Sequence, residues 1–320
     1  MKEAVFLQEV KEIQLLKNAL TLLDWDSSTG MPEKSSPFRG EVEGYLTGLY
    51  FERSIGPVIQ EALAYFETRP EELSELGKLV FEKVKEEYAL NKNVPAERMQ
   101  EYVKVLNQAH TDWLKARAAQ DFGLLEETLT KVVAFQKEFI PYWQKEEKTP
   151  YDVLLNQFEP GMTVEKLDQV FDQVKQGIQE IRTVLAEKGT PPRTDFLSRK
   201  MTKEQQRRFV IGVVEQLGYD FSKGRLDDTV HPFMTALNRN DARITTRWEE
   251  NNFSMATFGV IHEAGHGMYE QNFDPKFDFT PLSEGASMGI HESQSLFNEI
   301  IIGSNRAFWQ KQYPFFQECA

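Results

Sequence analysis

Apolar residues at Phe6, Val10, Ile13, Leu16, Leu20 and Leu23 recur at intervals of three and four, which places them on one stripe of a helix. The following Asp26-Ser27-Ser28-Thr29-Gly30-Met31-Pro32 is rich in residues that tolerate or enforce non-helical angles, and it predicts a turn. Helical spacing resumes over 38–67, 71–90, 95–119 and 123–147, with Pro95 suited to a first helical position, where its missing N–H costs little. Thr163 and Thr202 are N-cap candidates for helices ending near Gly189 and Gly218. Between Gly218 and Asn252 the helical spacing fails. Ile244, Thr246 and Trp248 alternate there, which predicts a strand with Thr229 to Thr235 as its hairpin partner. Beyond Asn252 the helical pattern returns, and Gly303 is expected to close one helix before another starts near Ser304. The pattern predicts one mainly α domain over 1–320, with a helical body over 1–218 and a small β element and further helices over 219–320.

Composition narrows the class. A hydrophobic content of 40% with 27% charged residues excludes a disordered or fibrous chain. Apolar runs such as Val210-Ile211-Gly212-Val213-Val214 stop far short of the ~18–20 residues of a membrane span, and Met1-Lys2-Glu3-Ala4-Val5-Phe6 lacks the apolar stretch of a signal peptide. The single cysteine, Cys319, forbids an internal disulfide and suits the cytosol. A net charge of −13 argues against nucleic acid or anionic lipid as a partner, because neutralising phosphates needs a basic face. Trp25, Tyr102, Trp113, Phe139 and Trp143 stand at helical spacing and are read as core.

The informative stretch is His262-Glu263-Ala264-Gly265-His266, a match to H-E-x-x-H within a helix-length segment. Residues four apart on a helix share a face, so two imidazoles can converge on one ion, and the glutamate beside the first can reach a water. Gly259, Gly265 and Gly267 each cost up to ~1 kcal/mol in a helix interior, which makes sense where another backbone or a ligand approaches closely. A catalytic zinc site typically takes a third protein ligand. The metzincin pattern would put glycine at 269 and histidine at 272, but Tyr269 and Asn272 stand there. A carboxylate from Glu270, Glu284, Glu292 or Glu299 remains, and helical spacing does not choose between Glu292 and Glu299, which share a face.

His262-Glu263-Ala264-Gly265-His266 and His291-Glu292-Ser293-Gln294, with His231-Pro232-Phe233 and Asp241-Ala242-Arg243-Ile244-Thr245 upstream, resemble the carboxypeptidase Taq family of zinc metallocarboxypeptidases. Leu23-Asp24-Trp25-Asp26 through Met31-Pro32 is similar too, so the likeness covers essentially the whole chain. It implies a mainly α, zincin-type (gluzincin-like) helical cleft fold with a small β element near the active site. It further implies a cytoplasmic homodimer that removes carboxy-terminal amino acids from peptides with broad specificity. Carried over by motif, His262, His266 and Glu292 would hold Zn²⁺, with Co²⁺ or Mn²⁺ as alternatives, and Glu263 would be the general base. His231, Asp241, Arg243 and Thr245 would line the cleft for substrate. His291 and Gln294 would orient the ligands from behind. An exopeptidase needs a cation for the terminal carboxylate, for which Arg243 and Arg247 are candidates, unless Arg243 only pairs with Asp241. Family chains are longer and carry two later motifs, I-R-x-x-A-D and G-x-x-Q-D-x-H-W, that do not occur before Ala320, so part of the substrate half of the site is expected to be missing. The alternatives are a helical zinc peptidase cutting internally and an inactive relative that only binds metal.

Overall fold

The computed structural model describes Met1–Ala320, the side chain of Glu33 excepted. Two compact units emerge, Met1–Lys145 with Phe273–Glu284 and Glu146–Asn272 with Gly285–Ala320. Residue 218, where the sequence pattern divides the chain, falls inside the second unit.

The first unit contains α1 (Glu3–Thr29), α2 (Ser36–Ser54), α3 (Pro57–Phe66), α4 (Glu75–Asn91), α5 (Ala96–Ala119) and α6 (Gly123–Trp143). Its core joins Phe6, Val10 and Ile13 of the predicted α1 stripe to Ile59, Ala62 and Phe66 of α3 and Val80, Phe81 and Val84 of α4. Phe139 is fully buried between Tyr102 and Trp143, each with its ring centroid 5.4 Å away, so Phe139 and Trp143 are core and the half-buried Tyr102 packs on them. The expected turn at 26–29 is instead the last turn of α1. Arg39 of α2 holds it there, bonding the Leu23 carbonyl at 2.8 Å and pairing with Asp26. The stretch read as one helix over 38–67 breaks at Ile55-Gly56, where Pro57 opens α3. The segment Phe273–Glu284 belongs to this unit. Glu284 meets Lys17 at 2.5 Å, Leu282 packs on the core, and Lys11 Nζ sits 4.6 Å from the Phe279 ring centre.

The second unit contains α7 (Pro150–Phe158), α8 (Val164–Lys188), α9 (Lys203–Leu217), β1 (Leu226–Asp228), β2 (Met234–Asn238), β3 (Asp241–Thr246), α10 (Phe253–Gln271), α11 (Met288–Leu296), a π-helical segment (Phe297–Gly303) and α12 (Arg306–Cys319). Thr163 and Thr202 cap α8 and α9 as predicted. The unpredicted α7 starts with a reciprocal box in which Thr149 Oγ1 accepts from Asp152 N–H and Asp152 accepts from Thr149 N–H. The sheet runs β1-β3-β2, with β1 parallel to β3 and β2 antiparallel to it. The hairpin partner of β3 is therefore Met234–Asn238 and not 229–235, and the strand ends before Trp248. Ile244 of β3, Phe209, Val210, Val213 and Val214 of α9, and Val260, Ile261 and Ala264 of α10 form the core that fixes the α10 position. No described helix is long and apolar enough to cross a membrane.

Candidate metal centre

Helix α10 is buried along most of its length, with β3, α9 and α11 against it. Its glycines explain how neighbours come so near. A β-carbon at Gly265 would stand 2.7 Å from both the Gln294 carbonyl oxygen and the Ser295 Cα, and one at Gly267 would stand 2.7 Å from the Tyr219 ring. Gly259 has only a distant neighbour, so the close-approach reasoning holds at two of the three positions.

The four-residue interval sets the two histidines of α10 on one face, and close packing at Gly265 brings α11 across that face. Glu292 Oε2 lies 3.4 Å from His266 Nε2 and 3.8 Å from His262 Nε2. One ligand atom from each of His262, His266 and Glu292 lies within 4.8 Å of the others. Two imidazole nitrogens and one carboxylate oxygen make a donor set suited to a divalent cation of the zinc type. The carboxylate separations are less than twice a bond length of ~2.0–2.2 Å, so one ion can touch all three with small adjustment.

Helix α11 is held in place at its start. Ser287 caps it by accepting from Ile290 N–H at 3.2 Å, and Glu159 accepts from Gly289 N–H at 2.7 Å and from the Ser287 hydroxyl at 3.1 Å. A carboxylate at a helix N-terminus is also favoured by the helix dipole. Behind the imidazoles stand two further carboxylates. Glu299, in the π-helical segment, meets His262 Nδ1 at 2.8 Å. Glu270 meets His291 Nε2 at 2.9 Å, and the His291 ring stacks on that of His266 with centroids 4.4 Å apart. His291 thus touches an imidazole of the group, whereas the sequence reading placed it behind Glu292.

Glu263 is 7% exposed. Burial pushes its carboxyl up to about 7; His262 opposes the shift, while the carboxylates of Glu292 and Glu299 add to it. Burial also lowers His266 to about 4, with His291 and His262 beside it adding to the effect.

The residues expected to line a cleft fare differently. Arg243 Nε and Nη2 bond the two carboxylate oxygens of Asp241 at 2.7 and 2.8 Å, the ion-pair arrangement weighed for it. Thr245 is fully buried, and its hydroxyl accepts from Phe233 N–H and donates to the Phe233 carbonyl, both at 2.8 Å, so it ties β3 to the segment that enters β2. Arg247 pairs with Glu249 at 2.6 Å. His231 is exposed in the loop before β2. The half-buried Gln294 side chain donates to Ser293 at 3.2 Å, and it is the Gln294 backbone that approaches α10. Sequence reasoning weighed Glu299 as a metal ligand and Glu270 as a ligand or a contact at the site's edge, and missed them as partners of His262 and His291. For Glu299 the signal was available, since seven residues after Glu292 it shares that residue's face.

Comparison with known proteins places the chain in a family. Residues 5–320 match the family model described as "Carboxypeptidase Taq (M32) metallopeptidase". Carboxypeptidase 1 of Bacillus subtilis is 43% identical over 318 residues, which cover 99% of this chain and 63% of that protein. The structure reported as the BsuCP crystal structure superposes with a TM-score of 0.96 at 43% identity, over 99% of this chain and 64% of that one. The M32 carboxypeptidase from Deinococcus radiodurans R1 superposes with a TM-score of 0.88 at 33% identity, over 98% and 62%. The chain thus spans somewhat under two thirds of the length of the proteins it matches. With four quoted motifs, a mainly helical fold and near-complete coverage in agreement, the chain belongs to the carboxypeptidase Taq (M32) metallopeptidase family.

Proposed function

We propose that the chain carries the metal-binding part of a metal-dependent carboxypeptidase, which hydrolyses carboxy-terminal amino acids from peptides. The observation that carries this reading is the meeting of His262 Nε2, His266 Nε2 and Glu292 Oε2 beside the buried Glu263. In it His262, His266 and Glu292 hold a divalent cation, zinc first, with cobalt or manganese also accepted by an N/N/O donor set. The cation supplies Lewis acidity, polarising a carbonyl and making water more acidic. Glu263 takes a proton from the attacking water and returns it to the leaving amine. Its position next to His262 in the helix and its burial suit it to that exchange. His291, stacked on His266, and Glu270 behind it hold that imidazole in orientation. The names of two of these relatives, carboxypeptidase 1 and M32 carboxypeptidase, support the reaction type. A homodimer and a cytoplasmic location belong to the same proposal, on the family resemblance.

A digest of free and carboxy-amidated peptides by the zinc-loaded protein, followed by mass spectrometry, tests the reaction. Stepwise loss of terminal residues from the free peptides, blocked by amidation, is expected. Internal cuts, or intact peptides together with no zinc retained by the protein, would overturn the proposal.

A further inference from the structure

Each imidazole has two nitrogens, and only one of the two on His262 faces Glu292. Nε2 points to the carboxylate Oε2 at 3.8 Å, while Nδ1 on the other edge of the ring meets Glu299 Oε2 at 2.8 Å. An ionised carboxylate has no proton to give, so at 2.8 Å the hydrogen belongs to Nδ1 and Glu299 accepts it. In the neutral ring this leaves the lone pair on Nε2, the nitrogen that faces Glu292 and His266.

The placement of Glu299 is local in origin. Seven residues of helix advance roughly 10 Å and return to nearly the same face, so two carboxylates of one continuous helical stretch can flank a ring standing between them. From Phe297 to Gly303 the helix is wound in the wider π form, a form often found at functional sites, and Glu299 lies in it. Helix α10 packs on this segment in ordinary contact, a β-carbon at Gly303 standing 3.5 Å from the Ile261 side chain.

We propose that Glu299 is a positioning residue for the metal centre, fixing His262 as the Nδ1–H tautomer with Nε2 free to bind the ion. This rests on the reading that His262, His266 and Glu292 hold a metal. A carboxylate on the far nitrogen of a metal-binding histidine orients the ring and makes the near nitrogen a better ligand, and losing such a partner typically costs 10–100-fold in affinity.

Two measurements on the full chain test it, one without metal. Two-bond ¹H–¹⁵N correlation of the metal-free protein at pH 8 should show His262 as a single Nδ1–H tautomer, and Glu299→Leu should turn it into a mixture. Chelator competition for Zn²⁺ should show affinity falling roughly 10–100-fold in Glu299→Leu and recovering to within severalfold of the parent in Glu299→Gln, whose amide oxygen still accepts the bond. Glu299→Met serves in place of the leucine variant if that one does not fold. An unchanged tautomer and parental zinc affinity in the apolar variant would overturn the inference, as would a glutamine variant as weak as the leucine one. His262→Ala separates the two ideas. If it loses zinc while Glu299→Leu does not, only the role of Glu299 fails. If it binds zinc like the parent, the metal reading itself fails.

Discussion

Gly265 of α10 lies so close to Gln294 of α11 that a β-carbon on it would stand 2.7 Å from the Gln294 carbonyl oxygen. The obstacle is backbone and cannot swing aside as a side chain would. Gly265→Ala is therefore expected to push the two helices apart and carry Glu292 away from His266. Overpacking of this kind costs roughly 1–3 kcal/mol. Thermal unfolding should register that loss, and zinc affinity should fall about tenfold or more, equivalent to about 1.4 kcal/mol. A variant that melts and binds zinc like the parent would contradict the close approach.

Glu159 sets the start of the same helix from a distant point in sequence, through Gly289 N–H and the Ser287 hydroxyl. Glu159→Ala leaves the first turn of α11 without this acceptor and without the favourable charge. A destabilisation of about 1 kcal/mol is expected, with weaker zinc binding because Glu292 rides on the loosened helix. Glu159→Gln keeps an acceptor and should lie between the two, which calorimetric melts and chelator competition can rank.

Glu263→Gln removes the proposed proton acceptor without touching the three ligand residues. Zinc affinity should stay near the parental value while peptide turnover falls at least ~10²-fold. Single-turnover digestion with matched metal content checks this, and a parental rate would remove Glu263 from the chemistry.

Asp152 offers a pH-dependent test away from the metal. The backbone N–H of Val164, with further bonds from Thr149, holds its carboxyl below the usual carboxylate range. A depressed carboxyl stabilises the fold above its unfolded pKa, and that contribution disappears as pH falls through the folded value. The stability gap between parent and Asp152→Asn should thus be widest near neutral pH and shrink in acid below about pH 4. Urea unfolding at several pH values measures it, and a gap constant with pH would be contrary to the expectation.

What could be read from sequence was what a single element fixes. The pair His262 and His266 follows from helical periodicity alone, and so does the α1 stripe of Phe6, Val10 and Ile13. Distant partners escaped. Asp26-Ser27-Ser28-Thr29 stays helical because Arg39 bonds the Leu23 carbonyl and pairs with Asp26. The three-residue β1 exists by pairing with β3, eighteen or so residues on, which no local alternation announces. Helix α7 is a different case, since Thr149-Pro150-Tyr151-Asp152 holds a capping signal that was present and went unread. The choice between Glu292 and Glu299 was unanswerable from spacing for a physical reason: both reach His262, one at each nitrogen.

The route of the chain between His266 and Glu292 has its own consequence. Phe273–Glu284 is moored within the first unit by Lys17, by Lys11 on Phe279 and by Leu282 in the core. A moored connection has already lost much of the wandering freedom that a slack tether would surrender when its ends are drawn together. Part of the entropy of joining α10 to α11 is thus met during folding of residues that lie in neither helix.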